Sequence, residues 1–133
     1  MNKNKKKGFT LIELLVVATI ITILSAIGLV SFVNAGKGAR DAKRKADLET
    51  VRQALVLRRS DLGNYPSGGA GGADGYNLAI VALLVGNYIS SPTPVDPKDD
   101  ETYFYSYDDV AQATFTLSAK LEKDGSTYTL TNP

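Results

Sequence analysis

The sequence contains no cysteine and no histidine. The first absence removes any disulfide framework and all thiol chemistry. The second removes the commonest general base and the commonest metal ligand together. No nucleophile, base and orienting group assemble from the residues that are left, so the composition argues against an enzyme. Neither sign of charge is in excess overall, with 15 Lys plus Arg against 14 Asp plus Glu. That balance hides a segregation. Lys3, Lys5, Lys6 and Lys7 crowd the start, and eight cations from Lys37 to Arg59 face only Asp41, Asp47 and Glu49. From Ser60 onward, Lys98, Lys120 and Lys123 face ten acids. A basic middle and an acidic end form a polarity suited to guiding the stacking of copies. At 133 residues the chain has room for one domain once its apolar segment is set aside.

That segment dominates the N-terminal quarter. A short basic stretch ends at Gly8, and Phe9-Thr10-Leu11-Ile12 leads to a single acid, Glu13. Residues 14–33 are then uncharged, a run of about 30 Å as a helix, which matches a bilayer core. The lysines before it should stay cytoplasmic and place the remainder outside. Three readings compete. An ordinary secretory signal would use Val33 and Ala35 as the small residues before a cut at Gly36. A plain anchor would leave Glu13 as an unexplained cost, since a carboxylate among lipid-facing residues costs several kcal/mol unless paired.

The third reading explains the acid. Lys5-Lys6-Lys7-Gly8-Phe9-Thr10-Leu11-Ile12-Glu13-Leu14 resembles the class III signal of type IV pilins and type II secretion pseudopilins. The resemblance implies cleavage between Gly8 and Phe9 by a prepilin peptidase, N-methylation of Phe9, and Glu13 as an assembly residue. A neighbouring copy would then supply a Phe9 amine to Glu13, neutralising both charges and setting the axial register. Snorkelling of Glu13 to the headgroups is the plainer alternative. The implied partners are identical subunits in a homo-polymer, the peptidase, the pilus assembly machinery and the membrane. A secretion or competence pseudopilus is the alternative to a pilus. The implied location is the cytoplasmic membrane, single-pass with the N-terminus inside, followed by an extracellular or periplasmic filament.

Thr19, Thr22, Ser25, Gly28 and Ser31 recur every third residue of the span, a row that lets helices approach closely in lipid and is also ordinary span composition. The family often breaks this span with a proline near Val30, and this chain has none, leaving Gly28 as the nearest weak point. Asn34 to Gly38 could interrupt the helix, yet Ala35, Ala39, Ala42 and Ala46 continue the spacing, followed by Leu48, Val51, Leu55 and Leu62. One helix is expected over 9–62, closed by Gly63-Asn64-Tyr65-Pro66. The basic stripe over 37–59 lacks interleaved aromatics, which argues against nucleic acid and for a solvated or partner-facing surface.

The remainder reads as a small head. Six glycines between positions 63 and 75 predict a flexible surface loop, without the Gly-Lys-Ser/Thr of a phosphate loop. Residues 76–85 suit a short helix or strand, and Pro92, Pro94 and Pro97 an extended loop. Strands are expected at 103–107, 114–121 and 127–130, the last two joined through a turn at 123–126. Tyr103, Phe104, Tyr105 and Tyr107 read as sheet packing. The region 88–105 resembles the C-terminal part of major secretion pseudopilins, several of which bind calcium there. That resemblance implies Asp96, Asp99, Asp100, Asp108 and Asp109, with Glu101, as oxygen ligands, and a solvated acidic loop stands beside it. The expected fold is α+β and pilin-like: a leader over 1–8, a transmembrane and polymerisation helix over 9–33, an amphipathic continuation over 34–62, and a head with a small antiparallel sheet over 63–133.

Overall fold

The structure is a computed structural model and describes residues 8–132. Five elements follow in order: helix α1 (Leu11–Leu62), helix α2 (Gly72–Val85), and strands β1 (Tyr105–Val110), β2 (Thr114–Lys120) and β3 (Thr127–Thr131). The α+β, pilin-like class expected from the sequence is the class observed. The chain separates into two units, with the break between Gly36 and Lys37.

The first unit is helix alone. Among the described residues its apolar side chains are left exposed, with Leu11 80%, Leu29 71% and Phe32 80% exposed. Its most apolar window has a mean hydropathy of 2.6 and is 0% buried, as expected of a segment whose solvent is lipid or another copy. Thr19 and Thr22 donate their hydroxyls to the carbonyls of Val16 and Ala18, at 2.7 and 2.8 Å. The two threonine hydroxyls of the row are thereby satisfied by their own helix. The helix runs unbroken through Gly28, Gly36 and Gly38.

In the second unit the same helix acquires an inside. Asp41, Arg44, Leu48, Val51, Ala54 and Leu55 are its buried residues, spaced three and four apart so that they share one face. Ala39, Ala42 and Ala46 stay exposed on the other side. The stripe does shift near Asp47 as expected, but two charges precede the leucines on the inner face. Gly63 ends the helix at φ 79°, its N–H donating to the Arg59 carbonyl at 2.8 Å, a left-handed cap that glycine adopts without Cβ strain.

The sheet has the order β1-β2-β3 and is antiparallel throughout. Its inner face carries Tyr107, Leu117 and Leu130 across one row and Tyr105, Ala119 and Tyr128 across the next. These pack on Leu48, Val51 and Leu55 of α1 and on Tyr76, Ala79, Ile80 and Leu83 of α2. Burial of each aliphatic side chain contributes about 1.5–3 kcal/mol. Tyr65 meets Phe115 edge-on with ring centroids 4.7 Å apart. The buried phenols are satisfied: Tyr107 donates to the Pro66 carbonyl at 2.7 Å, and Tyr105 to Asp47 at 2.8 Å. Burial, reinforced by Asp47, pushes the Tyr105 phenol well above its ordinary range.

Two segments differ from expectation. The glycine-rich loop is pinned by carboxylates. Asp109 accepts the Gly68 N–H at 2.6 Å and Asp108 the Gly72 N–H at 3.1 Å. The helix that follows starts at Gly72, earlier than residue 76, because Gly75 lies against the Tyr107 carbonyl where no Cβ fits. β1 begins at Tyr105, later than residue 103. Asp100 accepts the N–H groups of Thr102 and Tyr103 at 2.9 and 2.7 Å and holds them in a turn.

Candidate functional site

The N-terminal constellation comes from the start of α1. Thr10 precedes the first helical residue, and its Oγ1 accepts the Glu13 N–H at 3.3 Å. Glu13 reaches back, its Oε2 accepting the Thr10 N–H at 2.8 Å and the Thr10 hydroxyl at 2.7 Å. This reciprocal arrangement is a capping box, which satisfies otherwise orphaned helix donors. Phe9 is 81% exposed and Gly8 is exposed and outside the helix. The Gly8–Phe9 bond therefore lies in exposed chain outside the helix, directly before its capped start. The rest of the expected leader lies outside the described residues. Both bonds at the Glu13 carboxylate use Oε2, and among the described residues Oε1 carries none. Sequence reading singled out Glu13 and missed Thr10, although Thr10-Leu11-Ile12-Glu13 before an apolar run carries the capping-box pattern.

The five aspartates of the proposed calcium set do not come together. Asp96 is 5% exposed and faces Arg44, which donates through Nε at 2.7 Å and Nη2 at 2.8 Å. It also accepts the Lys98 N–H at 2.9 Å. Asp100 caps its own turn, Asp108 and Asp109 hold the glycine loop, and Asp109 also accepts the Gln112 N–H at 3.0 Å. Asp99 is exposed at φ 46°. Among the described residues no three acids gather closely enough to hold a metal ion. The set does not fit calcium, which needs six to eight converging oxygens.

The partner that Asp96 faces is a buried guanidinium. Arg44 is 0% exposed. Besides Asp96, its Nη1 donates to Asp41 and to Glu122, both at 2.8 Å. Asp41 in turn accepts the N–H groups of Glu122 and Lys123 at 2.8 and 2.9 Å, and Arg40 grips Glu122 through two bonds of 2.7 Å. Hydrogen bonds from Arg40, then Arg44 and Lys98, hold the Glu122 carboxyl well below the usual carboxylate range against its burial. Burial pushes Asp96 up, but Arg44 and two backbone N–H groups outweigh it and leave the carboxyl lowered. The network ties α1 to the loop before β1 and to the turn after β2. The expected solvated stripe is thus interrupted at Arg44, which a helical plot would have flagged: Asp41 and Arg44 share the face of Leu48, Val51 and Leu55.

An exposed apolar helix behind a capped start, joined in sequence to a helix-and-sheet head, is the α+β, pilin-like architecture expected from the sequence. Residues 3–29 match the family model described as the prokaryotic N-terminal methylation motif. The chain is 38% identical over 90 residues to the prepilin peptidase-dependent protein D of Escherichia coli, covering 66% of this chain and 57% of that protein. It is 33% identical over 67 residues to the type II secretion system core protein G of Pseudomonas aeruginosa, covering 50% and 47%. The chain thus spans about half the length of the curated relatives it matches. No solved structure matches it. By its N-terminal motif and these relatives the chain is similar to type IV pilins and type II secretion pseudopilins, a family of structural subunits.

Proposed function

We propose that the chain is a structural subunit of a pilus-like filament, matured between Gly8 and Phe9 and held together through its exposed helix. A prepilin peptidase removes the basic leader and methylates Phe9. The mature chain waits in the cytoplasmic membrane with its N-terminus inside, and the assembly machinery then extrudes it. The observation that carries this reading is the two-sided use of Glu13. One carboxylate oxygen caps its own helix, and the other, which no described residue bonds, would take an amine from a neighbour. Pairing with the Phe9 amine of another copy removes two charges from lipid at once, where either alone costs several kcal/mol. A plain anchor would use Glu13 only as a helix cap. The similarity to a type II secretion core protein favours a second reading, a short pseudopilus, which uses the same chemistry.

The test is the intact mass and N-terminal sequence of material sheared from cells. Filaments of a chain beginning at methylated Phe9 are expected. A secreted chain beginning at Gly36, or an uncut chain confined to the membrane, overturns the proposal.

A further inference from the structure

The two edges of the sheet are finished differently. The β1 edge is covered: Gly75 lies against the Tyr107 carbonyl, and Asp109 and Asp108 hold Gly68 and Gly72 beside it. Among the described residues, no segment other than β2 hydrogen-bonds to β3. The bonding pattern of β3 follows from its two ends. The Leu121 N–H donates to the Ser126 carbonyl at 2.8 Å, and the Phe115 N–H to the Asn132 side-chain oxygen at 3.3 Å. Bonded pairs alternate along an antiparallel ladder. Tyr128 and Leu130 therefore bond to β2, while Thr127, Thr129 and Thr131 turn their N–H and C=O groups outward. The three threonines are exposed, and residues 125–132 include no charge and no proline. An edge left this way is a template for another strand, which proteins ordinarily block with lysine, proline or a bulge. Lys45 lies over the Tyr128 ring at 5.3 Å, on the α1 side, and leaves the edge itself without a cation.

The edge is complementary to itself. Laid antiparallel with Thr129 opposite Thr129 of a second copy, Thr127 meets Thr131 and Thr131 meets Thr127. Each of these opposed pairs can exchange two backbone bonds. Thr faces Thr on the outer side, a favourable cross-strand pair, and Tyr128 faces Leu130 on the inner side. Tyr128 and Leu130 are only half-buried by their own head, so the second copy would cover what each leaves open. No like charges are brought opposite one another. We propose that β3 of one copy pairs antiparallel with β3 of a second copy, joining two three-stranded sheets into one. The same patch is used by both copies and each head has one open edge, so the contact closes on itself. Its two-fold axis stands perpendicular to the sheet, and the α1 segments packed on the two sheets therefore run in opposite directions. Neighbours in one membrane or one filament run the same way and cannot make it. On the filament reading, which the pairing itself does not need, it joins separate filaments lying antiparallel.

The absence of native cysteine lets single substitutions report the register. Thr127→Cys, Thr129→Cys and Thr131→Cys are each purified as the full chain in detergent and oxidised. Opposed Cα atoms would lie about 5.5 Å apart, within disulfide reach. Thr129→Cys alone should give dimers. Thr127→Cys should do so only when mixed with Thr131→Cys, because residue 127 of one copy lies about 14 Å from residue 127 of the other. Dimers from Thr127→Cys alone overturn the register, and a mixture that stays monomeric overturns the pairing. Ser118→Cys, on the outer face of the central strand, should stay monomeric, and equal dimer yield there overturns it as well. As a second measure, Thr129→Lys added to the mixed pair should cut dimer yield about fivefold, with the head melting at its unsubstituted temperature. Undiminished yield counts against the contact. Filaments carrying Thr127→Cys, mixed with filaments carrying Thr131→Cys, should cross-link in the same way. Filaments that stay separate overturn the antiparallel joining and leave the filament reading standing. If no filaments are recovered, that reading falls, and the result in detergent decides the pairing.

Discussion

One helix passes through two environments, and its two halves are written for different partners. Through Val33 it is apolar on every side, and among the described residues it buries nothing. Beyond Lys37 it buries one face, and that face opens with Asp41 and Arg44 before any leucine. The second half has its complement in its own head, whereas among the described residues the first half has none. Each half also places a charge where charge is costly, and the solutions differ. Glu13 is half satisfied by its own helix and left open, whereas Arg44 is closed in by three carboxylates from its own chain. An open charge is suited to assembly, a closed one to folding.

The sharpest way to break this contrast is at Arg44. Arg44→Met should strand Asp41, Asp96 and Glu122 together, and removing one partner of a buried pair costs about 3–5 kcal/mol. Melting of the head, followed through its tyrosines in near-ultraviolet circular dichroism, should fall by at least about 12 °C. The peptide bond at Gly8 should still be cut, because the first unit does not depend on that cage. Glu13→Gln is the mirror experiment. Filament yield should drop about tenfold or more, equivalent to at least 1.4 kcal/mol, with the head's melting temperature unmoved. A Glu13→Gln chain that polymerises normally would reduce Glu13 to a helix cap.

Acid should loosen the head through the Arg44 cage. Glu122 and Asp96 are held below the ordinary carboxylate range in the folded head. A depressed folded pKa contributes stability above the unfolded value and loses it as pH falls toward the folded one. The melting temperature should therefore be level from about pH 5 to 8 and decline below about pH 4. Arg44→Met should flatten that decline, since the depression of Asp96 depends on the guanidinium. An acid limb of unchanged steepness in the variant would place the titration elsewhere.

Which parts were legible follows from the reach of each interaction. The span, the helix end at Gly63 and the order of the strands depend on local periodicity and turn residues, and these are visible along the chain. The Arg44 cage joins residues 52 and 78 positions apart in sequence, and no spacing rule connects them. Asp108 and Asp109 read as loop acids because nothing in the sequence tells that their oxygens hold Gly72 and Gly68. The Thr10 cap is a different case. Its pattern was local and present, and the apolar run behind it drew the attention instead.

The smallest expected effect concerns calcium, and it separates two ways of closing an acidic head. A divalent ion needs carboxylates with free lone pairs aimed at one point. Here Asp96 already receives two guanidinium bonds and a backbone N–H. Asp108 and Asp109 would have to release the glycine loop to turn toward an ion, losing hydrogen bonds to charged acceptors of about 1.5–3 kcal/mol each. Arg44 supplies from within the chain the positive charge that an ion would bring. Millimolar calcium should therefore shift the head's melting temperature by less than about 1 °C, since a ligand stabilises only in proportion to its affinity for the folded state. A rise of several degrees, reversed by chelation, would show that the exposed Asp99 and its neighbours rearrange into a site that outweighs those bonds.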